Sequence, residues 1–299
     1  MSINPDLVKA GRIASETREM IANSDIIGRT FTEICDIVEN NIRRLGAEPS
    51  FPCNVSINEV AAHCTAPYGG AEDTVIREGD LVTIDLGAHI NGYLTDTATT
   101  VSANPEYDSI IQATRDTLDA ALRIVKIGTP AGDIGRVISE SAEQWGFRPI
   151  TNLTGHSMEQ YQVHSGTSIP NTWTPGLPRL KANTIYAVEP FLTFSDGAGL
   201  VVEGGAPRIF GLVSRRVTGK KRLDELVEEV WRTRRTLPFT PRWYSHLFDK
   251  EEVKDMIKDL VKRGVLRGYP ILVERTGRPV AQFEHTFVPT ETGAVVITG

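Results

Sequence analysis

Four carboxylates stand where the surrounding residues are apolar: Asp85 in LVTIDLGAHI, Asp96 in YLTDTATTV, Glu189 in YAVEP and Glu284 in QFEHT. Lone acids inside strand-like apolar runs are uncommon unless they are paired or bind an ion. Asn91-Gly92 lies between the first two and is a strong two-residue turn signal. Such a turn sets Asp85 opposite Ala98 and Asp96 opposite Gly87, which leaves the two carboxylates diagonal on one face, about 7–8 Å apart at their α-carbons. Like charges held that close in an apolar setting need a counter-charge. Taken alone, the pair also suits solvated residues at a hairpin edge. His156, in TGHSMEQYQVHSG, and the two glutamates shift the weight toward a pair of borderline-hard divalent ions such as manganese, iron, cobalt or zinc. Two ions about 3.5–4 Å apart can clamp an attacking hydroxide and the oxyanion that develops from a carbonyl.

The remaining histidines divide by context. His63 in AAHCT and His164 in VHSG follow small, polar segments and could donate to a substrate carbonyl or amide. His89, His246 and His285 read as structural, and His285 points away from its neighbour Glu284 if both lie on a strand. Other chemistries find no support. There is no GxSxG, no phosphate loop and no dinucleotide fingerprint, and Gly204-Gly205 is too short a signal to use.

The elements that must position these side chains are legible in part. Residues 5–22 read as a helix. Thr30 and Glu33 form a capping box that opens a second helix, with Phe31, Ile34, Val38, Ile42 and Leu45 on one face and Gly46 as its stop. Residues 49–58 read as a Pro- and Asn-rich turn region, and 81–101 as a hairpin. Helical spacing returns at 106–126 (Tyr107, Ile110, Ile111, Leu118, Leu122, Val125) and from Gly132 to Trp145 (Ile134, Val137, Ile138, Trp145). Residues 150–212 read as strand and loop. Beyond 213 the style changes. Apolar stripes at 222–235 and 250–263 (the latter Val253, Met256, Ile257, Leu260, Val261, ended by Gly264) precede a short strand pair at about 265–275. The strand QFEHTFVPT then resumes the earlier style. The organisation expected is one catalytic domain, 1–212 and 272–299, carrying a helical insertion at 213–271. No low-complexity tract or short tandem repeat is present.

Bulk properties fit a globular chain. It has 299 residues, 40% hydrophobic and 23% charged, with a formal net charge of −6, so nothing drives it globally toward nucleic acid. The insertion does carry a local excess: eight Lys or Arg against four Asp or Glu over 215–235. That reads first as a solvated helix face and second as a contact for ribosomal RNA. Residues 1–10 do not resemble a signal peptide, and no stretch is apolar enough to span a membrane. Three cysteines, Cys35, Cys53 and Cys64, form no even framework, which suits buried thiols in a reducing, cytoplasmic compartment.

The order Asp85, Asp96, His156, Glu189, Glu284 resembles the metal-ligand set of the pita-bread metallopeptidases. Within that group the segments FPCNVSINEVAAHCTAP, GDLVTIDLGAHINGYLTDTATTV, NLTGHSMEQYQVHSG, YAVEPF and AQFEHT, together with LPFTPRWY in the insertion, resemble the type II methionine aminopeptidases, in the short archaeal-type form. The resemblance implies an α+β pita-bread fold: a central antiparallel sheet covered by helices, with a winged-helix-like subdomain inserted. It implies two divalent ions, with Asp85 chelating one, Asp96 and Glu284 bridging, and His156 and Glu189 holding the other. Glu189 would also act as general base on the bridging water. His63 and His164 would bind and polarise the scissile amide. Phe51, Val163, Phe191 and Tyr269 would wall a pocket for the methionine side chain. The reaction implied is removal of the initiator methionine from nascent polypeptides by an ion-activated hydroxide, in a cytoplasmic monomer. The chain departs from some type II sequences in having GGAPRIF, without a histidine, between Glu189 and His246.

Overall fold

The computed structural model describes residues 3–68 and 73–299. Helix α1 (Pro5–Ala22) starts on the Asn4 side chain, which accepts from the Asp6 N–H at 2.8 Å, with Pro5 in the first turn where no amide is needed. Helix α2 (Phe31–Arg44) starts on the expected capping box: the Glu33 N–H donates to Thr30 Oγ1 at 3.2 Å and the Thr30 N–H to Glu33 Oε2 at 2.7 Å. Gly46 ends it with a φ of 88°. The buried stripes of α1 and α2 close over Val55, Ile84 and Leu86, forming the largest continuous core on that side. Helices α3 (Asp108–Arg123) and α4 (Ala131–Gln144) do the same on the other side, against Ile169, Tyr186, Val188 and Phe287. Truncating such a fully buried side chain, Ile34 or Ile138, costs about 2–5 kcal/mol.

The two halves echo one another at long range. Helices α2 and α4 are each 14 residues, Gly28 and Gly128 precede them, and Gly46 and Gly146 follow them, all four with positive φ. The echo survives in turn glycines rather than in side-chain identity, so no repeat is visible in the sequence.

Every strand pairing is antiparallel, and among the described residues the strands fall into one five-stranded and four three-stranded sheets. The Asn91-Gly92 turn has both residues at positive φ, 52° and 82°, and its register carries through: His89 faces Leu94, Asp85 faces Ala98 and Thr83 faces Thr100. The ladder breaks at Gly87 and at Thr95–Asp96, where a Cβ on Gly87 would run into the Thr95 carbonyl.

Four expectations are corrected. The 49–58 region is not only turn: Asn54–Ile57 is a strand on Val82–Leu86, with Asn54 opposite Asp85, because long-range pairing outweighs its local turn propensity. Trp145 and Val261 lie off the buried faces of their helices, at 41% and 39% exposure. Finally, 265–275 forms no hairpin of its own. Leu266–Glu274 is one strand that pairs with Val201–Leu212 and, further along, with Val60–Ala62.

Helices α5 (Lys221–Arg234) and α6 (Lys250–Lys262) pack on a core of their own, with Leu226, Val230, Phe239, Ile257 and Leu260 at its centre. Phe210, Leu212 and Leu266 from the adjoining strand pair complete it. This separate core is joined to the body by the Leu266–Glu274 strand, which runs across the boundary expected at 271. Its basic excess is mostly matched: Arg215 meets Glu228, Lys220 meets Asp259, Lys221 meets Glu225, Arg222 meets Glu252 and Arg232 meets Glu229, all within 4 Å. Arg234 is buried instead.

Candidate metal centre

The sheet breaks place the acids. Asp96 falls between Tyr93–Leu94 and Thr97–Val101, Glu189 between Ile185–Val188 and Phe191–Phe194, and Glu284 between Val280–Gln282 and His285–Pro289. Only Asp85 and His156 are inside strands. The expectation that all four acids lie in strand interiors is therefore corrected. A backbone released from its ladder can turn a carboxylate inward, and each of the three lies at such a point. Pairing then draws the segments together: Asp85 faces Ala98, Ala98 bridges to Glu284, and Ala187 lies between His156 and Thr286.

All five side chains line one cavity of about 240 Å³, together with His63, His164, Phe51, Val163, Phe191 and Tyr269. The His156 Nε2 lies 3.5 Å from Asp96 Oδ2 and 3.4 Å from Glu189 Oε1. One donor atom each from Asp96, His156 and Glu284 lies within 4.8 Å of the others. Asp85 Oδ1, Asp96 Oδ1 and Glu284 Oε1 are buried without a hydrogen-bond partner. Buried carboxylate oxygens are rarely left unpaired. Here they line one cavity, with no lysine or arginine on its wall among the described residues. Four acids, one imidazole and orphaned oxygens are the donor set that a divalent cation fits.

The electrostatics agree. Burial pushes the Asp85, Glu189 and Glu284 carboxyls well above their ordinary range, and the neighbouring Asp96 adds to each shift. An acid whose folded-state pKa is raised favours the fold below its unfolded value and destabilises it as pH climbs. Histidines with lowered pKa act oppositely and are fully favourable only above about 6.5: His89, His164 and His285 are each pushed by burial down to about 3. The metal-free protein should therefore lose stability from about pH 6.5 upward, as the acids are forced to ionise. The rise in Tm on adding manganese or cobalt should grow from pH 5 to pH 8. A rise that is flat with pH would mean that the acids are not what the ion satisfies.

Behind the cavity, threonine hydroxyls knit the acid-bearing segments. The Asp96 N–H donates to Thr286 Oγ1 at 2.8 Å, and that hydroxyl donates back to the Asp96 carbonyl at 2.7 Å. Thr97 Oγ1 donates to the Glu284 carbonyl at 2.8 Å, and Gln282 Nε2 to Glu284 Oε2 at 3.2 Å. Arg18 reaches from α1 to Thr97 Oγ1 and the Thr298 carbonyl, 2.7 and 2.6 Å away. His285 turns to this outer side, its Nδ1 3.0 Å from Thr298 Oγ1. Sequence reading missed these supports. The alternating threonines of TATT were the one local signal, while Arg18 gave none. It also missed Asn54, whose buried Oδ1 has no partner and which lines the cavity beside Asp85.

Gly155 has a similar supporting role. A Cβ there would collide with the Ala187 carbonyl, so only glycine lets the His156 strand approach its neighbour. Gly155→Ala should displace His156 and weaken metal affinity on the order of 10–100-fold, the usual cost of disturbing a ligand's support. Unchanged affinity by titration calorimetry would refute this.

His63 sits at a φ of 62°, a strained conformation for a side chain of its type. Its Nδ1 lies 3.1 Å from the Pro270 carbonyl. A carbonyl only accepts, so Nδ1 carries the proton and a neutral His63 presents an unprotonated Nε2. Burial lowers the pKa of both His63 and His164, keeping them neutral. The His164 ring lies 4.2 Å, centre to centre, from that of His156.

The family model for metallopeptidase family M24 matches residues 6–214. The chain belongs to metallopeptidase family M24. It is 39% identical over 294 residues to a methionine aminopeptidase of Saccharolobus solfataricus, which spans 98% of this chain and 96% of that protein. Among solved structures, the methionine aminopeptidase of Thermotoga maritima aligns with a TM-score of 0.69 at 23% identity, over 99% of this chain and 97% of that one. A thermophilic Arx1 aligns with a TM-score of 0.83 at 18% identity, over 100% and 92%. The pita-bread fold and the archaeal-type resemblance expected from the sequence motifs thus hold along nearly the whole length of this M24 metallopeptidase.

Proposed function

We propose that this protein is a methionine aminopeptidase that removes the N-terminal initiator methionine from new polypeptides. The observation carrying this reading is the convergence of four carboxylates and one imidazole on an apolar-walled cavity, in a chain closely related to methionine aminopeptidases. Asp85, Asp96, His156, Glu189 and Glu284 would hold two divalent ions, drawn from cobalt, manganese, iron or zinc. Bound ions supply Lewis-acid chemistry, lowering the pKa of water and polarising a carbonyl.

The chain's own residues do the rest. Phe51, Val163, Phe191 and Tyr269 form apolar walls that accept an unbranched thioether while excluding water. Glu189 takes the proton of the attacking water at its carboxylate and hands it to the departing amine. Neutral His63, with its free Nε2, accepts from the N–H of the scissile amide. His164, packed on His156, faces the same bond and steadies the carbonyl oxygen as charge develops there. These assignments explain why two histidines are kept uncharged beside four acids: protonated, each would pair with a carboxylate and block the substrate.

The substrate partner is the free amino terminus of a nascent chain, met in the cytoplasm, where the three buried thiols stay reduced. The protein would act as a monomer. Ribosome association rests on the local charge excess of the insertion alone and would show as salt-sensitive co-sedimentation. The decisive assay is methionine release from Met-Ala-Ser by metal-reconstituted protein, beside Xaa-Pro dipeptides. Release from the first and not from the second supports the reading. Turnover of the Xaa-Pro substrates alone would replace it with a prolidase-type activity.

A further inference from the structure

A second cavity, of about 420 Å³, adjoins the first and shares Val163, His164, Pro238 and Tyr269 with it. The two chambers differ in character. Gln162, Thr236 and Arg267 line the outer one, and among the described residues none on its wall is acidic. Arg267 is held in place: its guanidinium lies 4.8 Å from the centre of the Tyr269 ring, and Nη2 donates to the Tyr269 hydroxyl at 3.0 Å. Yet it is solvent-exposed, and among the described residues no carboxylate lies within 4 Å of it. Its charge reaches inward, since it helps to lower the pKa of both His63 and His164.

On the reading proposed above, a polypeptide with its first side chain in the inner cavity must leave past His164 and Tyr269. Those residues are the shared wall. An extended chain advances about 3.3 Å per residue, so the residues after the second enter the outer chamber. There they meet a positioned cation that has no carboxylate partner among the described residues. We infer that the outer cavity is a subsite for the third and fourth substrate residues, and that Arg267 makes it prefer acidic side chains over basic ones. The insertion, through Thr236, Pro238 and Arg267, would then help set which proteins are processed, in addition to covering the site.

The test uses the metal-reconstituted full chain and the C-terminally amidated peptides Met-Ala-Asp-Ala, Met-Ala-Ala-Ala and Met-Ala-Lys-Ala. At low salt, kcat/KM should favour Asp over Lys by about two- to ten-fold, mainly through KM, and the ratio should shrink at high salt because the arginine is exposed. Arg267→Glu should invert the ratio, and Arg267→Lys should retain its direction. Equal rates for the Asp and Lys peptides, or a ratio indifferent to Arg267→Glu, would overturn the inference while leaving the aminopeptidase reading standing. Failure to cleave the neutral peptide would overturn the aminopeptidase reading and this subsite with it.

Discussion

Asp96→Asn should lower kcat/KM for Met-Ala-Ser by about 10³-fold or more, since charge stabilisation at the scissile carbonyl would depend on the ions this carboxylate is proposed to help hold. The same change should act in the opposite sense on the metal-free fold. Asp96 is buried, with one oxygen unpartnered, and its charge raises the carboxyl pKa of Asp85, Glu189 and Glu284. Neutralising it removes a like charge from that group, so metal-free Asp96→Asn should be at least as stable as metal-free wild type. What the variant should lose is the Tm rise on adding metal, which for the wild type corresponds to about 2.7 kcal/mol at a concentration 100-fold above Kd. Activity, metal-free stability and metal-dependent stability thus move in three distinguishable ways. A variant that keeps its metal-dependent Tm rise would show that Asp96 is no ligand, even if activity fell.

The largest stability effect is expected at Glu39, which does not line the cavity. This residue lies on α2, 1% exposed. Its carboxylate accepts from the Cys53 N–H at 3.1 Å, from Trp243 Nε1 at 2.7 Å and from Arg242 Nη2. One side chain therefore fastens the insertion to the body and holds the strand that leads to Asn54. Glu39→Ala leaves the mostly buried Arg242 guanidinium only the exposed Asp36 carboxylate, 3.4 Å away, and breaking the buried side of such a pair costs up to about 3–5 kcal/mol. Differential scanning calorimetry should register a fall in Tm on the order of 5–15 °C. Adding Arg242→Met should recover part of it, because the stranded charge is then gone. A single variant within about 2 °C of wild type would mean that the insertion is held mainly by its apolar contacts.

Arg234 belongs to the same seam. From the end of α5, its Nη2 donates to the Pro49 and Ser50 carbonyls at 2.7 and 2.9 Å, directly before Phe51 on the cavity wall. The insertion is thereby tied to the pocket by a buried side chain. The sequence shows this arginine only as one of eight basic residues over 215–235.

What the sequence determines by itself is whatever is decided within a few residues. Thr30 and Glu33 satisfy each other's amides one helical turn apart, and Asn91-Gly92 can adopt two consecutive positive φ values, so the start of α2 and the register of the Asp85 hairpin follow from local sterics and hydrogen bonding. Motif order likewise points to five candidate ion-binding side chains, because a carboxylate in an apolar run is uncommon unless it is paired or binds an ion. Tertiary structure decides where a polar group finds its partner across the chain. Glu39 and Arg242 are 203 residues apart, and Asp96 and Thr286 are 190 apart. No periodicity encodes such pairings, because each exists only once packing has brought the segments together and removed the water that would otherwise satisfy them. The same holds for Asn54–Ile57, a strand only because Val82–Leu86 lies beside it, and for the breaks at Asp96, Glu189 and Glu284. A strand run in sequence carries no mark of where its neighbour ends, and those ends are where the three acids turn inward.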